Sequence, residues 1–291
     1  MKFLIVDAFT RTLFGGNPAG VVILPEGADF PSDETMVKTA AELRYSETAF
    51  IQPISPAEYR VRYFTPAAEV DLCGHATIGS FCALAHLGMI SPGETVMNHT
   101  LAGDLQIQVG DGFVMMDMAT PRQISVMDDP AAIEELYGVM GAEYDAARIG
   151  MVPRLISTGL PDIMMPLADR EALNAMKPDM EALTELSRRY EVVGVHAFTL
   201  DAEEGVTAHA RNFAPLYDID EEAATGTSTG AMTYYLHQNG VIGDEADCRF
   251  IQGEAMDRPS LILSQLRMDG EDCRIRVGGS AVVLAEGEIR I

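Results

Sequence analysis

The sequence predicts an α+β protein made of two similar domains, each organised around one buried helix. Two long segments, residues 72–93 and 223–243, contain no Asp, Glu, Lys or Arg. A helix without a charged face is normally buried all round. Each segment contains a glycine, Gly88 or Gly240, where a helix would end. Strand-like stretches surround both segments, and this mixture of elements defines the predicted class.

The second half of the chain repeats motifs of the first half. Residues 62–66 (RYFTP) recur as residues 211–215 (RNFAP), and residues 73–77 (CGHAT) recur as residues 225–229 (TGTST). The spacing is the same for the motif and for the helix-ending glycines, since 225 − 73 and 240 − 88 are both 152. Features repeated at matched distances indicate a duplicated fold.

We assign residues 1–118 with 279–291 to the first domain and residues 119–278 to the second. The last strand, residues 281–289, is expected to return to the first domain. The central helices are predicted over residues 76–87 and 228–237. We expect these two helices to face each other across a cleft. The other predicted elements are strands at 3–7, 21–24, 46–51, 59–65, 154–157, 163–167 and 193–200, a Gly-rich turn at 14–20, a hairpin at 101–118, and helices at 32–43, 130–137 and 180–190.

Composition excludes several classes of function. The net charge of −24 argues against nucleic acid and anionic membranes as partners, because both require basic patches. The four cysteines have no Cys-x-x-Cys spacing, so neither structural zinc nor a disulfide framework is expected. The apolar run before Asp7 is too short for a signal peptide, and we expect a cytoplasmic protein.

The amino ends of the two central helices are candidate anion sites. A helix N-terminus presents unpaired N–H groups and the positive end of the helix dipole. The glycines at these ends, Gly74 and Gly226, permit close approach of a ligand to the backbone. The sequence therefore predicts binding of a small anionic metabolite through backbone N–H groups near residues 74–75 and 226–227.

The two halves also differ at one informative position. Aligning residues 49–51 (AFI) with residues 197–199 (AFT) places Glu47 opposite Val195. One half would then carry a carboxylate where the other carries an apolar side chain. Duplicated scaffolds diverge where function is asymmetric, so Glu47 is a candidate functional residue.

Seven short segments together resemble the PhzF (phenazine biosynthesis-like) family from end to end. They are residues 7–10 (DAFT) with 16–19 (GNPA), 46–50 (SETAF), 64–66 (FTP) with 73–77 (CGHAT), 211–215 (RNFAP) and 224–226 (ATG). The resemblance implies the fold of diaminopimelate epimerase, in which each of two pseudo-symmetric domains wraps a mixed β-barrel-like sheet around a central helix. It also implies a cofactor-independent isomerase with no metal, and a homodimer.

The resemblance also implies the roles of individual residues. The catalytic residues it implies are Glu47, His75 and Glu222. The substrate-binding residues are Asn17, Cys73, Gly74, Thr225, Gly226 and Thr227. Residues 221–226 (EEAATG) depart from the family pattern, because Glu222 replaces an aspartate and Ala223 a proline. The substrate's polar group is therefore not assumed to match that of the phenazine enzyme.

Two alternatives remain open from the sequence. One is a non-catalytic member of the same fold that binds a small molecule or a protein. The other is a one-thiol racemase or epimerase using Cys73, which a helix N-terminus could acidify. A two-thiol racemase is disfavoured because Thr225 occupies the second position, and a hydroxyl is a poor base unless activated. The remaining histidines lack metal-binding spacing, and Arg62 and Arg211 are interpreted as structural partners of the loops that follow them.

Overall fold

A computed structural model describes all 291 residues of the chain. The chain forms two compact units, and each is described here by itself. Unit 1 comprises Met1–Asp117 and Gly278–Ile291, and unit 2 comprises Met118–Val277. The interpretation of these units as duplicated domains remains a prediction.

Unit 1 contains a mixed sheet and two helices. Its strands are β1 (Lys2–Ala8), β2 (Asn17–Ile23), β3 (Thr48–Ser55), β4 (Glu58–Phe64), β5 (Glu69–Val70), β6 (Thr95–Thr100), β7 (Gly103–Val109) and β8 (Val114–Asp117). Its helices are α1 (Asp33–Leu43) and α2 (Gly74–His86). Ser32 caps α1 by accepting a hydrogen bond from the Thr35 N–H, as expected for a serine at an N-cap.

Unit 2 contains the remaining helices and most of the remaining strands. Its strands are β9 (Arg122–Val126), β10 (Arg154–Ser157), β11 (Pro161–Leu167), β12 (Gly194–Thr199), β13 (Ala208–Ala214), β14 (Ile219–Glu222), β15 (Glu245–Gln252), β16 (Ser260–Asp269) and β17 (Asp272–Gly279), which extends past the unit boundary. Its helices are α3 (Pro130–Val139), α4 (Ala146–Ile149), α5 (Arg170–Ala175), α6 (Met180–Tyr190) and α7 (Gly226–Gln238).

The last strand, β18 (Ala281–Glu288), pairs antiparallel with β1. This pairing is consistent with the expected return of the chain to its first domain. The pairing runs from Lys2 opposite Glu288 to Ala8 opposite Ala281, with one irregularity between Ile5 and Val6.

The two units repeat the same sequence of strand pairings. In unit 1, β1–β2 is antiparallel, β2–β3 parallel, β3–β4 antiparallel, β4–β6 parallel and β6–β7 antiparallel. In unit 2, the same alternation is found for β10–β11, β11–β12, β12–β13, β13–β15 and β15–β16. Both units are mixed sheets, and the predicted α+β class is confirmed.

The predicted central helices, α2 and α7, have the same length and are buried. Each has 13 residues, nine of them buried, and each begins two residues before its predicted start. Both end at a glycine with positive φ, Gly88 (70°) and Gly240 (69°). Only glycine adopts that conformation without steric cost, so the predicted stop signals are confirmed.

Two local predictions are wrong. Residues 17–20 were assigned to a turn, but β2 begins at Asn17, because this segment pairs with β1. Ser46 and Glu47 were assigned to a strand but lie in the loop before β3. Strands β13 to β17 were not predicted. Strand β6 was also not predicted, since it has weak apolar alternation and ends in polar residues.

No helix is long and apolar enough to cross a membrane. All four cysteines are free thiols.

Candidate active site

The amino end of α2 carries the first group of predicted site residues. Cys73 is the N-cap residue, with extended backbone (φ −135°, ψ 119°), and Gly74 and His75 begin the helix. No side chain caps this end of the helix. Because Cys73 and His75 are adjacent to the first turn, their side chains lie beside the positive end of the helix dipole.

His75 is the centre of this group and is 3% exposed. Its Nδ1 lies 3.1 Å from Asn17 Nδ2, and its Nε2 lies 3.3 Å from Ser46 Oγ. With the Asn17 amide donating to Nδ1, the neutral ring carries its proton on Nε2. That N–H is then directed toward the loop that contains Ser46 and Glu47.

Glu47 completes the group. Its Oε2 lies 3.3 Å from His75 Nε2, and its side chain is 14% exposed. This oxygen is buried and has no hydrogen-bond partner. Its loop is fixed to β2 by a hydrogen bond from the Gly20 N–H to the Glu47 carbonyl, 3.3 Å long. A buried carboxylate oxygen without a hydrogen bond is costly in a purely structural residue, so it indicates a functional role.

Asn17 is positioned by the glycine that precedes it. Gly16 has φ +64°, and a Cβ at this position would lie 2.1 Å from the Ala8 carbonyl oxygen. No other residue fits this approach without moving the backbone. The buried Asp7 carboxylate accepts a hydrogen bond from the Phe14 N–H and thereby holds the same loop. Asn17 was predicted from family resemblance, and its contact with His75 gives that prediction a geometric basis.

Cys73 is close to His75 but is a weak acid in this environment. Its Sγ lies 3.4 Å from His75 Nδ1 and 3.9 Å from Nε2. Burial raises the pKa of the Cys73 thiol to about 11, and the negative charge of Glu47 adds to this increase. The contacts of the thiol with His75 lower the pKa of Cys73 but do not compensate for these effects. At neutral pH Cys73 is therefore a thiol.

A buried chain of hydrogen bonds supports the first turn of α2, and sequence reasoning missed it. Asn98 Nδ2 donates to Tyr63 Oη (3.1 Å), Tyr63 and Thr77 hydroxyls are 2.7 Å apart, and Thr77 Oγ1 donates to the Cys73 carbonyl (2.7 Å). Burial raises the pKa of Tyr63, which keeps its hydroxyl a donor. The chain fixes the backbone of Cys73 and, through it, the position of His75.

In unit 2, the predicted residues Glu222 and Thr225 are in contact. Thr225 is the N-cap residue of α7, and its Oγ1 donates to Glu222 Oε2 over 2.6 Å. Gln252 Nε2 donates to the Glu222 carbonyl (2.7 Å), and its Oε1 accepts from the Thr225 N–H (3.2 Å). Gly226 and Thr227 form the first turn of α7, where the Thr227 carbonyl accepts from Thr158 Oγ1. Gln252 and Thr158 were not predicted.

Behind these residues lies a buried polar cluster that the sequence did not reveal. Asp162 accepts a 2.5 Å hydrogen bond from Ser228 Oγ, and His196 Nδ1 lies 3.0 Å from Asn212 Oδ1. Burial lowers the pKa of His196 to about 4, so the ring is neutral. Because Nδ1 carries the proton and donates it to Asn212 Oδ1, Nε2 is unprotonated. That nitrogen is buried without a hydrogen-bond partner. The negative charge of Glu222 acts to raise the pKa of both Asp162 and His196.

Asp162 is expected to make stability depend on pH. Burial and the negative charge of Glu222 raise the pKa of Asp162 to about 6. Hydrogen bonds from Ser228 and from the Gly194 backbone act in the opposite direction but do not cancel this increase. The folded state therefore binds the proton more tightly than the unfolded chain, and stability falls as pH rises from about 4 to about 6, by roughly 3 kcal/mol. Asp162→Asn removes this titration and keeps an acceptor for Ser228. Urea unfolding at pH 4 and pH 7 should show the variant gaining stability relative to wild type by that amount, whereas parallel profiles would contradict the assignment.

The strand registers correct the predicted alignment of Glu47. Arg62 pairs with Phe50 in unit 1, and the equivalent Arg211 pairs with Ala197 in unit 2. Glu47 lies three residues before Phe50, and Gly194 lies three residues before Ala197. Glu47 is therefore equivalent to Gly194 and not to Val195. A Cβ at Gly194 would lie 1.8 Å from the Phe213 carbonyl oxygen. The asymmetry is therefore greater than predicted, because this position in unit 2 cannot carry a side chain.

Arg62 and Arg211 hold the loops that follow them, as interpreted from sequence. Arg62 forms a two-pronged ion pair with Glu69, and Arg211 forms one with Glu221. Arg211 Nη1 also donates to the carbonyls of Leu173 and Met176. Neither arginine contacts Glu47 or Glu222 in these interactions.

Comparison with known proteins identifies the family. Residues 6–287 match the PhzC-PhzF family, described as phenazine biosynthesis-like protein. The chain belongs to this family. A PhzF-family phenazine biosynthesis protein of Bacillus anthracis is similar in structure, with a TM-score of 0.88 and 28% identity over 100% of this chain and 99% of that chain.

Curated relatives of this chain are named isomerases. An uncharacterized isomerase of Deinococcus radiodurans is 35% identical over 98% of this chain and 94% of the relative. The trans-2,3-dihydro-3-hydroxyanthranilate isomerase of Pseudomonas fluorescens is 28% identical over 99% of both chains. The chain is thus a PhzF-like enzyme of the isomerase class.

The fold extends beyond the PhzC-PhzF family. The structure of a probable proline racemase from Agrobacterium radiobacter has a TM-score of 0.62 at 15% identity, over 100% of this chain and 93% of that chain. At this identity the likeness concerns the fold alone. The predicted epimerase-like fold is confirmed.

Proposed function

We propose that this chain is a cofactor-independent isomerase that moves a proton on a small carboxylate-bearing metabolite, with Glu47 as the proton carrier. The observation that carries the proposal is the environment of Glu47 Oε2. It is buried without a hydrogen bond and lies 3.3 Å from His75 Nε2 at the amino end of α2. A general base needs an available lone pair and a neighbour that orients it, and this site supplies both.

In the proposed reaction, Glu47 removes a proton from a carbon made acidic by an adjacent unsaturated or carboxyl group. The electron pair left on carbon delocalises toward that group, and Glu47 returns the proton at another carbon. His75, whose Nε2 lies 3.3 Å from Glu47 Oε2, keeps the carboxylate in place through this contact and can donate to the negative charge that develops on the substrate. Backbone N–H groups at Gly74 and His75, with the dipole of α2, stabilise the same charge.

The residues at the amino end of α7 are proposed to bind a polar group of the substrate. Glu222 and Thr225 are linked by a 2.6 Å hydrogen bond, and Gly226 and Thr227 form the first turn of the helix. A helix N-terminus favours an anionic group. A substrate carboxylate would bind there through backbone N–H groups, with Glu222 accepting from a hydroxyl or amine.

The name of the Pseudomonas fluorescens relative suggests trans-2,3-dihydro-3-hydroxyanthranilate as the first substrate to test. Similarity to this isomerase supports the type of reaction more strongly than it supports the identity of the substrate. Glu222 followed by Ala223 departs from the family pattern, and a longer carboxylate changes the reach to a substrate hydroxyl or amine. We propose that the physiological substrate is a related small carboxylate with a differently placed polar group.

The thiol mechanism is less well supported than the carboxylate mechanism. A racemase base must be a thiolate, but burial and the charge of Glu47 raise the pKa of Cys73 to about 11. The equivalent position in unit 2 is Thr225, whose hydroxyl is already hydrogen-bonded to Glu222. Proton transfer by Glu47 does not depend on a Cys73 thiolate.

A metabolite screen tests the proposal. Purified enzyme is incubated in D₂O with a library of small carboxylates that includes the dihydro-hydroxyanthranilate, and deuterium incorporation is followed by mass spectrometry with Glu47→Gln as the comparison. The proposal predicts a substrate that gains deuterium, or changes isomer, with wild type and not with the variant. A substrate converted equally by both proteins would refute Glu47 as the carrier.

A further inference from the structure

A buried histidine in β13 of unit 2 is held between two carboxylates. The His209 side chain is 1% exposed; its Nδ1 lies 2.7 Å from Glu254 Oε2, and its Nε2 lies 2.9 Å from Glu203 Oε2. An ionised carboxylate only accepts hydrogen bonds, so both ring nitrogens must donate. The ring is therefore an imidazolium cation that bridges the two carboxylates.

Arg170 joins the same two carboxylates. Its Nη1 donates to Glu203 Oε2 over 3.1 Å, and its Nη2 donates to Glu254 Oε1 over 3.0 Å. Hydrogen bonds from the Glu203 backbone N–H and from His209 lower the pKa of the Glu203 carboxyl group, which keeps it an ionised acceptor. Arg170, Glu203, His209 and Glu254 thus form a closed network of two cations and two anions, here called the ionic ring. A charge-balanced network holds its members more firmly than an isolated ion pair does.

The ionic ring lies next in the chain to a residue of the candidate site. Glu254 opens a short 3₁₀ turn, Glu254–Met256, two residues after Gln252 ends β15. The Gln252 amide holds the loop that leads into α7. Its Nε2 donates to the Glu222 carbonyl (2.7 Å) and to Thr225 Oγ1 (3.1 Å), and its Oε1 accepts from the Thr225 N–H (3.2 Å).

Gly253 connects Gln252 to Glu254 and packs closely against the same loop. It has φ +83°, and a Cβ at this position would lie 2.6 Å from the Ala223 carbonyl oxygen and 2.4 Å from that of Arg258. The Gly253 carbonyl accepts hydrogen bonds from two N–H groups of the following turn. Because close-packed segments transmit displacements to one another, a shift of Glu254 is expected to move the Gln252 amide.

We propose that Glu254 is a positioning residue for the amino end of α7 and acts through Gln252. The ionic ring holds Glu254 and thereby fixes the turn after β15. The Gln252 amide then fixes Glu222 and Thr225 relative to each other. The proposal rests on the proposed function in one respect, namely that Glu222 and Thr225 bind the polar group of the substrate. Since these residues bind and do not carry the proton, loss of Glu254 should raise KM more than it lowers kcat.

Glu203 provides a matched control, because Glu203 and Glu254 have the same two partners in the ionic ring. Glu203 lies in the loop between β12 and β13, whereas Glu254 lies beside Gln252. Hydrogen exchange of the Thr225 N–H, followed by NMR, reports its bond to Gln252 Oε1 without measuring turnover. Glu254→Ala should accelerate this exchange by about 2–10-fold, which corresponds to one lost hydrogen bond. Glu203→Ala should leave it unchanged.

Gln252→Ala tests whether the effect passes through the amide. This substitution should itself accelerate exchange of the Thr225 N–H, and adding Glu254→Ala to it should give no further increase. Glu254→Gln keeps one acceptor oxygen for the ionic ring and should show a smaller acceleration than Glu254→Ala. Circular dichroism checks folding, and Glu254→Gln replaces Glu254→Ala in the comparison if the latter does not fold.

Two results of the exchange measurement would overturn the proposal. One is equal exchange in the Glu203 and Glu254 variants, which would show that the ionic ring only stabilises the fold. The other is an additive effect of Glu254→Ala and Gln252→Ala.

Steady-state kinetics on the substrate found in the screen provide the second readout. Glu254→Ala should raise KM by about 2–10-fold with little change in kcat, and Glu203→Ala should change neither. An unchanged KM in Glu254→Ala would overturn the positioning role and leave the role of Glu47 intact. Normal turnover by Glu47→Gln would instead refute the isomerase mechanism and leave the exchange results standing.

Discussion

Glu47→Gln is expected to lower kcat by about 10²–10⁴-fold, the usual contribution of general acid–base catalysis. Glutamine keeps the size and shape of the side chain but cannot accept a proton from carbon. Because the amide can still contact His75 Nε2 and the loop stays bonded to Gly20, we expect folding and substrate affinity to change little. Steady-state kinetics on the substrate found in the screen measures kcat and KM separately.

Two further variants make this result specific. Glu42→Gln changes an exposed acid in α1, five positions before Glu47, and should leave kcat unchanged. Cys73→Ser alters a buried neighbour of His75 and should reduce kcat by much less than Glu47→Gln does. A larger loss for Cys73→Ser than for Glu47→Gln would transfer the role of proton carrier to the thiol.

Arg211→Ala is expected to destabilise the protein by about 3–5 kcal/mol, the cost of breaking a buried ion pair by removing one partner. Arg211 is 9% exposed. Its guanidinium binds both oxygens of Glu221, at 2.9 and 2.8 Å, and the carbonyls of Leu173 and Met176, at 3.1 Å each. Truncation leaves a partly buried carboxylate and two carbonyl oxygens unpaired. Urea denaturation measures the loss.

An exposed ion pair in the same unit provides the control. Arg188 in α6 pairs with Glu185, and both side chains are more than half exposed. Arg188→Ala should cost only about 0–1 kcal/mol, because solvent screens such pairs. Equal effects of the two substitutions would show that the Arg211 network does not stabilise unit 2. The double variant Arg211→Ala/Glu221→Ala should recover part of the loss, because it removes the unpaired carboxylate.

The sequence predicted the features that depend on local patterns. The absence of charge over residues 72–93 and 223–243, together with Gly88 and Gly240, was sufficient to locate two buried helices and their ends. Cys73, Gly74 and His75 are adjacent in the chain, so their placement at one helix N-terminus followed directly. The strand at the C-terminus was expected to return to the first domain, and it pairs with β1.

The features that depend on strand register were not predictable. Asp162 follows Pro161 at the start of β11, where a Gly-Leu-Pro-Asp sequence looks like an exposed turn, yet pairing with β12 buries it. Asn98 lies in a strand too polar to recognise, so its contact with Tyr63 was also missed. The repeat alignment of Glu47 was shifted by one residue because residues 49–51 and 197–199 are alike in sequence but differ in register.

The most direct test of Glu47 as proton carrier is the rate of hydrogen exchange at the reacting carbon. The substrate and its isomer are equilibrated with enzyme in D₂O containing a metal chelator, and deuterium at each carbon is followed by NMR for wild type and Glu47→Gln. The proposed mechanism predicts exchange by wild type that the chelator does not slow, and a rate at least about 10²-fold lower for the variant. Exchange at the wild-type rate in Glu47→Gln, or its loss on chelation, would contradict it.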